Sequence, residues 1–109
     1  MSARLKRNLP LLRMLLQVSP VQRQKLLQTA SKELILSVCE VAFNILRGVI
    51  PLSTLQYKRL ARQKSAIKLV ADKRIGLLKK KQVINQKGGF LGPLLSIAVP
   101  FLTELLMKR

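Results

Sequence analysis

Between Lys32 and Arg47 the apolar residues Leu34, Ile35, Val38, Val41, Ala42, Ile45 and Leu46 recur at three- and four-residue steps. That spacing lays one continuous stripe along a 3.6-residue helix and leaves Glu33, Glu40, Asn44 and Arg47 on the other side. A helix patterned this strongly must bury its stripe against other elements. Hydrophobic residues make up 49% of the chain but aromatics only 4%, so the covering core has to be built from Leu, Ile and Val. Gly48, followed by Val49, Ile50 and Pro51, supplies a stop at the carboxyl end.

The flanking sequence offers three more helices. Pro10 suits an opening turn, where its missing N–H would be unpaired anyway, and Leu11, Leu12, Leu15 and Leu16 form an apolar face up to Val18. Ser19-Pro20-Val21-Gln22 is a capping box and predicts a second helix from Pro20 to about Thr29, burying Leu26 and Leu27 and turning Gln22, Arg23 and Lys25 outward. Ser53-Thr54-Leu55-Gln56 repeats the signal and opens a fourth helix running to Arg74, with weaker periodicity and an expected break near Gln63 to Ser65. Beyond Ile75-Gly76 the periodicity fades. The expected fold is all-α: a small bundle of four to five helices over residues 1–75, a basic connector over 76–89 and an apolar tail over 90–109. At 109 residues the chain holds one domain at most. Nothing in the pattern fixes an oligomeric state.

A membrane span needs about 20 unbroken apolar residues. The nearest stretch, Phe90 to Met107, is interrupted by Gly92, Pro93, Pro100 and Glu104. The amino end, MSARLKRNLPLLRMLLQVS, is basic and free of acids like a transit peptide. It is poor in Ser and runs into further patterned sequence, so it reads as the first helix.

Charge is the loudest compositional feature, with 21 Lys and Arg against 4 Asp and Glu, a net +17. A small body with that charge repels itself, and a polyanion relieves it. Nucleic acid is the first expectation and an anionic membrane surface the second. The densest array is Lys58, Arg59, Arg62, Lys64, Lys68, Lys73, Arg74, Lys79, Lys80 and Lys81, with Asp72 the one acid among them. A solvated face that only keeps the protein soluble would not need so lopsided a balance. No helix-turn-helix pattern offers a recognition helix, and Tyr57 is the single aromatic available for base stacking in this region. The expected partner is double-stranded DNA, held through its phosphates without sequence preference. Two other readings stay open: a membrane-active or capsid-docking structural protein using residues 90–107, and a ribosome- or RNA-associated helical protein.

Catalytic chemistry has little to work with. The chain has no His and one Cys, Cys39, which falls on the apolar side of the third helix and reads as a small core residue. Those counts exclude a zinc finger or ribbon. Glu33 and Glu40 lie two helical turns apart, about 10.5 Å along the axis, and read as counter-charges on a basic surface. No nucleotide-binding glycine motif or Ser–His pair exists. The expectation is a non-enzymatic protein with no cofactor and no metal.

One seam stands apart. At QKGGFLGPL, residues 86–94, a basic segment gives way to an almost uncharged one. Lys87-Gly88-Gly89-Phe90-Leu91, then Pro93-Leu94-Leu95 and Ala98-Val99-Pro100, resembles the precursor of the small DNA-condensing core protein of adenoviruses, protein X or mu. The whole layout is similar to the small basic virion proteins of adintoviruses, the Maverick or Polinton relatives of adenoviruses. The close match covers about fifteen residues. The resemblance implies a virion core protein that condenses viral DNA, is assembled in the host nucleus and acts beside a capsid protein. It also implies maturation by a viral cysteine protease, with Gln86 in the outermost recognised position, Lys87 in the free one, and Gly88 and Gly89 before a cut at Phe90. The competing reading of the two glycines is a hinge or helix stop. The chain departs from the adenovirus pattern in having Lys as well as Arg, no His, and patterned helices, which implies a folded body in place of a flexible condenser.

Overall fold

Four serines open four of the helices. In the computed structural model, which describes residues 2–86 and 88–107, the hydroxyls of Ser2, Ser19, Ser31 and Ser53 each accept a hydrogen bond from the backbone N–H three residues on, all at 3.2 Å. Caps of this kind stabilise a helix by about 1 kcal/mol each. They set the starts of α1 (Ala3–Gln17), α2 (Pro20–Gln28), α3 (Lys32–Leu46) and α4 (Thr54–Ala61). Both expected capping boxes form, with Gln22 and Gln56 accepting from the Ser19 and Ser53 backbone. The chain continues as α5 (Lys64–Ala71), α6 (Leu77–Gln86), a 3₁₀ turn at Gly88–Phe90 and α7 (Leu91–Met107). The described residues are all-α, as expected, with seven helices where four to five were predicted.

α3 ends as its glycine predicts. Gly48 adopts φ +78°, its N–H donates to the Ile45 carbonyl at 3.1 Å, and the Val49 N–H reaches back to Asn44 at 3.0 Å. This is a Schellman ending, and the left-handed conformation is open to glycine at no steric cost. The weak stretch after Arg62 does break: Gln63 opens α5 without any side-chain cap.

Three expectations change. The first helix begins at Ala3, and Pro10 lies inside it. Its buried stripe is Leu5, Leu9, Leu12 and Leu15, while Leu11 is left 41% exposed. Pro10 and Pro100 each free the carbonyl of a residue four positions back, Lys6 and Ser96, both on exposed faces where water can take the bond. The connector over 76–89 is largely the helix α6. The tail over 90–109 is, in its described part, the centre of the core. Phe90, Leu91, Leu94, Leu95 and Ala98 have no exposed surface. α7 packs on α1, α3 and α4; α1 also packs on α3, α3 on α5, and α6 on α2 and α5. The Cα radius of gyration is 12.8 Å, against about 13 Å for a compact domain of this length, which leaves no room for a protruding tail. Smaller changes follow the same packing: Leu26 and Leu46 face outward, and Arg23 folds back to donate from Nε to the Leu15 carbonyl at 2.7 Å.

Candidate nucleic-acid interface

α3 spends its polar side on α1. Arg7 pairs with Glu33, and Arg4 lies between Glu33 at 3.6 Å and Glu40 at 3.7 Å. Ser2 donates to Glu40. The Arg7 hydrogen bond, helped by the charge of Arg4, holds the Glu33 carboxyl below its usual range. Glu33 and Glu40 are therefore internal counter-charges along the α1–α3 seam. Asp72 is likewise engaged by Arg74 at 2.9 Å. No acid occurs between Glu40 and Asp72, so the surface built from residues 41–71 carries positive charge alone.

That surface is α4 and α5. Leu60 anchors α4 in the core, and Ala66, Ile67, Val70 and Ala71 seat α5, which packs on α3. The outward sides are left with Lys58, Arg59 and Arg62 on α4 and its cap, and Lys64 and Lys68 on α5, all exposed. At 100° per residue, positions 58, 59 and 62 fall within about 100° of arc, and 64 and 68 stand one above the other. Leu55 is 68% and Tyr57 59% exposed on the same helix. The five cations together are the exposed charge of α4 and α5, the α4–α5 face.

The remaining predicted residues divide. Lys73, Arg74 and Lys79 are exposed, and Lys81 is half-buried. Arg74 is tied to Asp72 by two guanidinium contacts. Lys80 is a correction: it is 7% exposed and sits in the interior face of α6 with Val83 and Ile84. Three consecutive helical residues sweep 200°, so Lys79, Lys80 and Lys81 cannot all face water on a helix that packs on its neighbours.

The two glycines lie in the 3₁₀ turn, and Phe90, the residue after the expected cut, is fully buried. Gln86 ends α6 and is exposed, and Lys87 lies outside the described residues. A protease takes its substrate extended, so the Gly89–Phe90 bond is not presented to one in this fold.

Sequence reasoning missed Phe43 and Arg47. Lys73 Nζ lies 4.5 Å and the Arg47 guanidinium 5.1 Å from the centroid of the Phe43 ring, within cation–π range. The i,i+4 spacing of Phe43 and Arg47 was the available signal. Cys39 is buried as expected; burial pushes its thiol up, against the nearby charge of Lys80, and leaves it a poor nucleophile. Among the described residues no cluster of metal-ligating side chains forms, and no single helix is long and apolar enough to cross a membrane. Fold and surface together define a small helical protein whose helices α4 and α5 carry exposed basic side chains and no acid of their own. Compared with family models, curated proteins and solved structures, the chain matches none of them.

Proposed function

We propose that the protein binds double-stranded DNA through the phosphate backbone, without sequence preference and without catalysis, as a condensing protein of a viral particle. The observation that carries the reading is the α4–α5 face, where Lys58, Arg59, Arg62, Lys64 and Lys68 are all exposed and no carboxylate lies between Glu40 and Asp72 in the chain. Phosphate neutralisation releases condensed counterions and needs only such an array on a rigid support. Lys73 and Lys79 extend the supply of exposed charge. The particle assignment, with assembly in the host nucleus and a capsid protein alongside, rests on the resemblance at residues 86–100.

Membrane action through residues 90–107 would require α7 to leave the core, exposing side chains that now have no contact with solvent. Maturation at Gly89 would act on the chain before it folds or while it is locally open. An RNA partner would use the same charges, so the experiment includes it. Fluorescence anisotropy with two unrelated duplex DNA sequences and a structured RNA, at matched salt, tests the proposal. Equal affinity for the two duplexes is expected. Preference for the RNA, or no binding to any polynucleotide in dilute buffer, would overturn it.

A further inference from the structure

Lys80 is 7% exposed, and a cavity opens beside it. The cavity is about 520 Å³, and Arg4, Arg47, Lys73 and Lys80 line it, with Glu40 the single lining carboxylate. Glu40 is already engaged by Ser2 and Arg4. Arg47 and Lys73 are held over the Phe43 ring. Among the described residues none of Arg47, Lys73 and Lys80 has a carboxylate within ion-pair distance; the four ion pairs belong to Arg4, Arg7 and Arg74. Asp72 is near enough to feel the charge of Lys80, but its oxygens are occupied by Arg74.

A cationic side chain more than nine-tenths buried is unfavourable unless an opposite charge or hydrogen bonds compensate it. Here one such group, Lys80 from α6, meets two exposed cations from other segments, Arg47 at the end of α3 and Lys73 from the turn after α5. The volume lies within the ~300–1,000 Å³ of small-molecule sites. The forked donors of Arg and the point charges of Lys are the usual recognition pair for phosphate oxygens.

The geometry points to a small-anion site between α3 and α6, taking a free, multiply charged phosphate compound of about pyrophosphate size that pairs with Arg47, Lys73 and Lys80. The site is separate from the α4–α5 face and does not depend on the duplex-binding reading. A bound anion would tie α3, α5 and α6 together, so occupancy stabilises the fold by linkage.

Thermal unfolding of the full chain with sodium pyrophosphate, against sodium chloride at equal ionic strength, reads this out. Pyrophosphate at about ten times its Kd should raise Tm by about 5–10 °C beyond the chloride control. Lys80→Met keeps the buried stem apolar and should abolish the excess shift, whereas Lys58→Met, an equal loss of charge on the exposed face, should retain it. Lys80→Met should also bind duplex DNA as the wild type does. An equal effect of the two substitutions on the shift would mean general charge screening and would overturn the site. Should Lys80→Met not fold, amide shifts in the wild-type protein decide: pyrophosphate should move Phe43, Arg47, Lys73 and Lys80 ahead of Lys58 and Arg59, and the reverse order overturns the proposal.

Discussion

Arg74 closes on Asp72 through two guanidinium nitrogens, Nε at 3.1 Å from Oδ1 and Nη2 at 2.9 Å from Oδ2, while its own backbone N–H donates to Oδ1 at 2.9 Å. The side-chain contact, followed by the backbone one, holds the Asp72 carboxyl at about 2. One clamp therefore removes a cation from the basic surface and adds a carboxylate beside it.

Asp72→Asn should free Arg74 and remove the only acid in the basic stretch. Duplex affinity should rise, and the salt dependence should steepen by about one unit of slope in log K against log salt, the worth of one further phosphate contact. Fluorescence anisotropy across a salt series measures both. Unchanged affinity would show that Arg74 never reaches a phosphate.

The carboxyls of Glu33 and Asp72 are both depressed in the folded chain, so the unfolded chain binds more protons in acid. Stability from these groups is fully present above about pH 5 and is lost as pH falls through about 4 toward 2. Urea midpoints should be level between pH 7 and pH 5 and lower at pH 3. Glu33→Gln, which removes the Arg7 pairing, should shrink that drop. A midpoint that rises at pH 3 would contradict the ion-pair account.

Leu94 has no exposed surface and lies on the helix that α1, α3 and α4 cover. Leu94→Ala should cost about 2–5 kcal/mol in urea denaturation, a large part of the stability of a domain this small. A chain ending at Gly89 should lose cooperative unfolding and most of its helical circular dichroism, although it keeps 19 of the 21 basic residues. Retention of a cooperative transition would mean that α7 is dispensable.

Because Phe90 is fully buried and ends the 3₁₀ turn that holds both glycines, a cysteine protease directed at Gly-Gly should cut the native chain slowly. Cleavage should accelerate in urea in step with the unfolded population. Mass spectrometry of fragments ending at Gly89 follows this. Rapid cutting of the native protein at a rate independent of urea would show that the turn opens locally without unfolding.

Much of this architecture was legible because it is locally encoded. α3 announces itself by its stripe, Ser19 and Ser53 by their glutamines three residues on, and Gly48 by its position past the last apolar residue. α7 was not, because a helix apolar on nearly every side carries no period and reads as a greasy tail; only the packing of α1, α3 and α4 around it reveals a core element. The start of α1 is hidden in the sequence because Pro10 fits a first turn as well as an exposed interior position, although Leu5 and Leu9 extend its buried stripe. The five exposed cations on α4 and α5 follow from sequence once Leu60 and Ile67 are taken as inward. Lys80 does not follow from charge alone, since composition counts it with its neighbours while helical geometry turns it inward.

The most direct measurement of the central claim is the salt slope of duplex binding for the wild type and for a variant with Lys58, Arg59, Arg62, Lys64 and Lys68 all changed to Gln. If each of these five contacts one phosphate, the account predicts a wild-type slope of roughly −4.5 or steeper and a variant flatter by about 4–5. A variant that keeps the wild-type slope and affinity would contradict it.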